Sequence, residues 1–106
     1  MVKYVVLNTL QPGVDPDEAY QYWRKEHAAW AKKRFAPDAK KFVINRVVHR
    51  IGENNTFGFG EVYFNDVETG LSAMQRIIPF RDEDDFRKKF ITVQQRFFVE
   101  EEEIEL

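Results

Sequence analysis

The stretch FGFGEVYF, residues 57–64, mixes aromatic and β-branched residues with two glycines and carries a single charge, Glu61. That composition suits the interior of a strand, and glycines inside a strand mark a bend or a close approach by another segment. Just upstream, KFVINRVVHRI (41–51) has the same character, and GENN (52–55) supplies a turn between the two. The pair therefore forms a hairpin, the second and third strands of a sheet. Downstream, Asp66 is placed to cap a helix carrying Leu71, Met74 and Ile77, which Pro79 stops. DDFRKKF (84–90) gives a further helical turn with Phe86 and Phe90 on one side, and QRFFVEEEEI (95–104) reads as the last strand.

At the other end, VKYVVLN (2–8) is a first strand followed by the turn signal QPG (11–13). A helix follows with Asp15 as N-cap, Pro16 at its first position and acids in its first turn. Tyr20, Trp23, His27, Trp30 and Arg34 recur along it at spacings of three and four, which is one helix face, and Pro37 closes it. The order is β-α-β-β-α-β. This predicts an α+β, ferredoxin-like domain with a four-stranded antiparallel sheet, spanning residues 1–106 as a single unit.

The strands are apolar on both sides. Tyr4 and Val6 oppose Val5 and Leu7; Phe42, Ile44 and Val48 oppose Val43 and Val47; Phe98 opposes Phe97 and Val99. A sheet wetted on one face alternates apolar with polar, whereas a sheet covered on both faces does not. Two helices cover only one face of four strands. The other face is expected to meet a second copy of the chain, giving a homodimer with sheets packed face to face.

Composition sets further bounds. With 43% hydrophobic residues the chain has material for a core, and without cysteine it has no disulfide and no thiolate chemistry. No apolar run approaches the roughly 20 residues that span a bilayer. The opening MVKYVVLN has neither a basic leader nor a small-residue cleavage site. A cytoplasmic protein with no membrane partner is expected.

The 57–64 stretch also fills five slots of the octapeptide K/R-G-F/Y-G/A-F-V-x-F/Y found on the third strand of RNA-recognition modules. The chemistry does not follow. Phe57 occupies the slot of a phosphate-binding cation, and Glu61 that of a base-stacking aromatic. A net charge of −2 leaves no basic surface to neutralise phosphates. No nucleic-acid partner is expected, and the acidic runs 82–85 and 100–103 read as solvated faces.

The first helix holds the chemistry. In YWRKEHAAW (22–30), His27 lies one turn from Trp23 and nearly one turn from Trp30. An imidazole held neutral among indoles can accept or relay a proton; a core histidine satisfied by a carbonyl is the competing reading. Tyr4 and Tyr63 carry hydroxyls able to hold a substrate oxygen, and Asn45 in its apolar strand needs hydrogen bonds if buried. Arg46 and Glu61, on neighbouring strands, are able to pair. The two histidines, His27 and His49, show no metal-ligand spacing. GFG has no strand-turn-helix context for phosphates.

These motifs together resemble the EthD family of the dimeric α+β barrel superfamily. The matching pieces are Pro12-Gly13, Tyr22-Trp23-Arg24 with His27-Ala28, Asn45 within FVINRVV, Gly58 with Glu61 and Phe64, and Phe97-Phe98-Val99-Glu100-Glu101. The chain departs from the family pattern at Ala29-Trp30, where a proline often follows the histidine–alanine pair, and in having only His49 as a second histidine. The resemblance implies a homodimer whose cavity takes a hydrophobic, aromatic or polyketide-like molecule. It implies cofactor-free lyase, isomerase or cyclase chemistry with His27 as acid/base and no metal. Trp23, Trp30, Tyr4, Asn45 and Tyr63 are then the expected substrate-binding residues. A non-catalytic metabolite-binding or accessory dimer serving an oxidoreductase pathway, and a cofactor-free oxygenase, are the alternatives.

Overall fold

The structure, a computed structural model, describes residues 1–106. Four strands, β1 (Val2–Leu10), β2 (Lys41–Arg46), β3 (Thr56–Phe64) and β4 (Ile91–Glu100), form one antiparallel sheet in the order β2-β3-β1-β4. With helices between β1 and β2 and between β3 and β4, this is the ferredoxin-like arrangement.

Between β1 and β2 the chain runs through α1 (Pro16–Tyr22), a single π-helical turn (Trp23–His27) and α2 (Ala28–Phe35). Asp15 caps the start by accepting from the Asp17 amide at 3.0 Å. The π turn is closed by the Ala28 amide bonding back to the Trp23 carbonyl. Single π turns of this kind are frequent at functional sites, and here one spans the segment from the buried tryptophan to the histidine.

After β3, Asp66 caps α3 (Val67–Ile77) through the Thr69 amide at 2.7 Å. The buried stripe of α3 is Gly70, Ala73 and Ile77, whereas Leu71, at helical spacing from Met74, is exposed. Gly70 explains the rotation. A Cβ there would stand 2.6 Å from the Phe98 ring, so the helix presents its smallest residues to the sheet. A 3₁₀ segment (Ile78–Glu83) containing Pro79 follows, and then α4 (Phe86–Phe90), whose Phe86 and Phe90 are buried as the sequence predicts.

Two strand boundaries differ from expectation. The second strand stops at Arg46; beyond it the Val47 amide still reaches β3, at Phe57 O, and Arg50 donates to the Thr56 carbonyl, while Val48 and Ile51 are exposed. Val47 and Val48 thus fall outside the β2–β3 ladder, whose last paired residues are Arg46 and Gly58. The last strand runs 91–100, and Glu101–Glu103 leave the sheet because its partner β1 begins at Val2, opposite Glu100.

The helices pack on the face carrying Tyr4, Val6, Asn8, Phe42, Val62 and Arg96. Register places Tyr4 opposite Val62 and Phe98, and Val6 opposite Gly60 and Arg96. Near Asn8 the pairing shifts from Gly58 to Thr56, which makes Phe57 the extra residue of a β-bulge. Phe57 accordingly turns inward, 3% exposed, with its ring 5.6 Å from that of Trp23.

The opposite sheet face has no helix over it. It carries Val5, Leu7, Val43, Phe59, Phe97 and Val99 together with the polar Lys3, Asn45 and Glu61, and Phe97 is 43% exposed.

Candidate functional site

Most of the buried side chains fall into two clusters. One gathers Tyr4, Ala31, Phe35, Val62, Phe64, Ala73 and Ile77; the other gathers Ala19, Trp23, Phe57, Phe86, Phe90 and Ile91. A cavity of about 140 Å³ opens where they meet, between helices and sheet, and takes its walls from both. Trp23, buried to 1%, stacks on Phe86 at 5.7 Å with the rings 5° from parallel. Trp30 forms the next wall and is fixed by its indole N–H, which donates to the Phe80 carbonyl at 3.1 Å.

His27 lines this cavity between those two tryptophans, with ring centroids 5.1 Å from Phe86 and 5.9 Å from Trp30. Its Nδ1 lies 2.6 Å from Oδ2 of Asp84, whose side chain is only 10% exposed. The other carboxylate oxygen of Asp84 accepts from the Phe86 amide at 3.3 Å. An ionised carboxylate only accepts hydrogen bonds, so the contact places a proton on Nδ1, and in the neutral ring the lone pair is then on Nε2. That is how a carboxylate fixes the tautomer and ring plane of a working imidazole.

Tyr4 rises from the sheet floor, 8% exposed. Burial pushes its phenol above the ordinary 10.0, against the pull of the Arg96 guanidinium beside it. Asn8, 2% exposed, also lines the cavity, and its amide oxygen accepts from Gln94 Nε2 at 2.9 Å. At the mouth stand Arg81, Arg87, Lys88 and Arg96 with Asp82.

Of the residues singled out in the sequence, the cavity brings together His27, Trp23, Trp30 and Tyr4. Asn45 and Tyr63 lie elsewhere, on the uncovered sheet face. Asn45 Nδ2 donates to Glu61 Oε1 at 2.8 Å and to the Phe59 carbonyl at 3.2 Å. Glu61 pairs with Lys3, not with Arg46. Arg46 instead pairs with Asp17 and lies over the Tyr20 ring. The Tyr63 ring sits beneath Lys3 and Lys41 at 5.7 and 5.3 Å. Strand parity explains the split, since Asn45 and Tyr63 alternate with Ile44 and Val62 on the helix side.

Asp84 escaped the sequence reading because it belongs to an acidic run that reads as a solvated face. Asn8 was within reach, lying two residues past Val6 and four past Tyr4 on one strand face. No three His, Cys, Asp or Glu side chains converge to hold a metal, and His49 lies in the exposed 47–55 loop.

The chain matches no protein-family profile and no curated protein sequence. Solved structures match its fold over almost the whole length. The Arabidopsis thaliana protein At3g17210 superposes with a TM-score of 0.74 at 16% identity, covering 100% of both chains. An ethyl tert-butyl ether D (EthD) family protein from Bacillus halodurans gives 0.62 at 20% identity, over 96% of this chain and 99% of its own. SnoaB, a cofactor-independent oxygenase from Streptomyces nogalater, gives 0.63 at 13% identity, over 97% of this chain and 94% of its own. The EthD resemblance drawn from the helix motif is therefore matched by a fold shared with a member of that family.

Proposed function

We propose that the chain is a cofactor-free enzyme that admits a hydrophobic, ring-bearing small molecule to the helix–sheet cavity and moves a proton through His27. The observation that carries this is the His27–Asp84 contact at the wall of an aromatic cavity. Asp84 holds Nδ1 protonated, and Nε2 takes a proton from a carbon or hydroxyl of the bound molecule. The imidazolium, stabilised by Asp84, then returns that proton elsewhere on the substrate. Lyase, isomerase and cyclase reactions all use this step. Trp23, Phe86 and Trp30 wall in the ring, and the Tyr4 hydroxyl is positioned to hold a carbonyl oxygen.

The likeness to SnoaB favours cofactor-free oxygenation as a second reading of the same dyad, with the base deprotonating an electron-rich phenol. The active species is proposed to be a cytoplasmic homodimer. The sheet face without a helix, whose apolar side chains include Phe97, exposed at the edge strand, supports pairing through that face. Native mass spectrometry tests the dimer: a clean monomer would refute it.

The catalytic reading is tested with small aryl ketones, neutral and carboxylated, incubated in D₂O, with deuterium incorporation beside the carbonyl read by NMR. The wild type should accelerate incorporation over buffer, and His27→Ala should reduce it by roughly 10²–10⁴-fold while remaining folded. Equal rates for the two proteins would leave a metabolite-binding dimer in its place. Oxygen consumption with phenols, lost in the same variant, would select the oxygenase.

A further inference from the structure

The arginines of this chain divide sharply by the company they keep. Arg24 donates to the Gln21 amide oxygen, Arg34 to Glu83, Arg46 to Asp17, Arg50 to the Thr56 carbonyl, and Arg76 to Asp38 and the Arg34 carbonyl. The remaining three are Arg81, Arg87 and Arg96. None of the three makes an ion pair or donates to a backbone carbonyl; Arg96 lies beside the Tyr4 hydroxyl, and all three line the cavity. They come from three separate elements: the 3₁₀ segment, α4 and β4.

The surrounding charges sharpen the contrast. Counting Lys88, four cations line the cavity against two carboxylates, Asp82 and Asp84, and Asp84 is committed to His27. Lys88 is only 4.0 Å from Asp82, and both are highly exposed. The chain as a whole carries −2, so a local excess of positive charge around one opening is not a reflection of composition. Guanidinium groups match oxyanions in a planar, two-pronged fashion and are the usual choice for carboxylate or phosphate recognition.

Size narrows the class further. The cavity, at about 140 Å³, is comparable to the ~150 Å³ void that accepts a benzene ring in an engineered core. Its inner walls are aromatic and its mouth is cationic.

We infer that the cavity binds a single-ring compound carrying an oxyanion, with the ring against the aromatic wall that Trp23, Phe86 and Trp30 form and the anion at Arg81, Arg87 and Arg96. This rests on the proposed role of the cavity as the reaction site and gives its substrate a chemical class. It places the anionic end at the opening and the ring beside His27. A carboxylate and a phosphate ester share this recognition chemistry.

The chain has two tryptophans, and both line the cavity, so their two indole N–H signals in a ¹⁵N–¹H spectrum report occupancy directly. The wild-type protein is titrated with benzoate, phenyl phosphate and neutral benzamide. Both indoles should shift, and one of the anions should bind at least about tenfold more tightly than benzamide. A preference for benzoate assigns a carboxylate substrate, and a preference for phenyl phosphate a phosphate ester. The double variant Arg81→Gln/Arg87→Gln removes no ion pair and should bring the preferred anion down to the affinity of benzamide.

Equal affinity for benzamide, indoles unmoved by either anion at millimolar concentration, or an unchanged anion affinity in the double variant would each overturn the inference. Because the titration needs no turnover, it fails separately from the acid/base reading. Proton exchange that depends on His27 together with indifference to charge would sink the oxyanion alone.

Discussion

Asp84 Oδ2 lies 2.6 Å from His27 Nδ1 across 57 residues of sequence, so an acid at the end of a surface turn becomes the partner of a helix histidine. Asp84→Asn keeps the shape but offers Nδ1 an amide in place of an anion. The imidazolium loses its counter-charge, and an amide N–H facing Nδ1 favours the tautomer that occupies Nε2. Turnover in the D₂O exchange assay is expected to fall by roughly 10²-fold or more, with far-UV circular dichroism unchanged. Wild-type rates in Asp84→Asn would remove Asp84 from the mechanism.

The turn that carries Asp84 is fastened to α2 at three points. Trp30 donates to Phe80 O, Arg34 engages Glu83 through both oxygens, and the Arg34 guanidinium lies 3.8 Å from the centre of the Phe80 ring. Bidentate and stacked contacts depend on the guanidinium plane. Arg34→Ala should therefore raise amide hydrogen exchange in residues 78–84 while leaving the sheet protected. The exchange activity should fall in parallel, since a loosened Asp84 no longer fixes the imidazole. Unchanged protection over 78–84 would mean that the turn is held by its apolar contacts alone.

Periodicity made the fold legible, and with it the residues that line much of the candidate cavity. Tyr4, Trp23, His27 and Trp30 announce themselves through strand and helix spacing, because each repeats on a buried face. Asp84 does not, because a carboxylate in an acidic run is described equally well as solvated. Only the fold-back of the 3₁₀ segment onto α2 makes it a partner. Asn45 and Tyr63 lie on the uncovered face, a division the sequence leaves open: on a sheet apolar on both sides, alternation does not say which face the helices take. The Phe57 bulge is likewise silent in the sequence, since it arises from a register shift against β1.

The two glycines of FGFGEVYF differ in what they allow. A Cβ on Gly58 would stand 2.4 Å from the Asn45 carbonyl and 2.9 Å from Trp23 Cζ3, and a backbone carbonyl in a ladder cannot retreat. Gly60 would meet only Trp23 Cζ2, at an ordinary 3.8 Å. Gly58→Ala is expected to destabilise by about 1–3 kcal/mol, the usual cost of overpacking. Gly60→Ala should be neutral or slightly stabilising, because a glycine in a strand interior costs conformational entropy. Urea midpoints of the two variants decide it, and equal midpoints would contradict the close approach of Trp23 to β3.

Glu61 and Lys3 form a pair at the centre of the uncovered face, with Asn45 as third member and Glu101 3.6 Å from the Lys3 ammonium. Burial alone would raise the Glu61 carboxyl, but the Lys3 ammonium and the Asn45 amide outweigh it and hold the group below its ordinary 4.5. Lys3 is held above its ordinary 10.5, chiefly by its hydrogen bond to Glu61. A depressed carboxyl contributes stability that is fully present above 4.5 and is lost as pH falls through the folded value. A raised ammonium contributes stability that is present below 10.5 and is lost as pH rises past it. Glu61→Gln removes both contributions. At one fixed protein concentration, the urea midpoint of the wild type should exceed that of Glu61→Gln by a constant amount from about pH 6 to 9. The gap should close on acidification below 4.5 and again above 10.5. A gap that stays constant down to about pH 3 would show that the glutamate stabilises by packing and not through its charge.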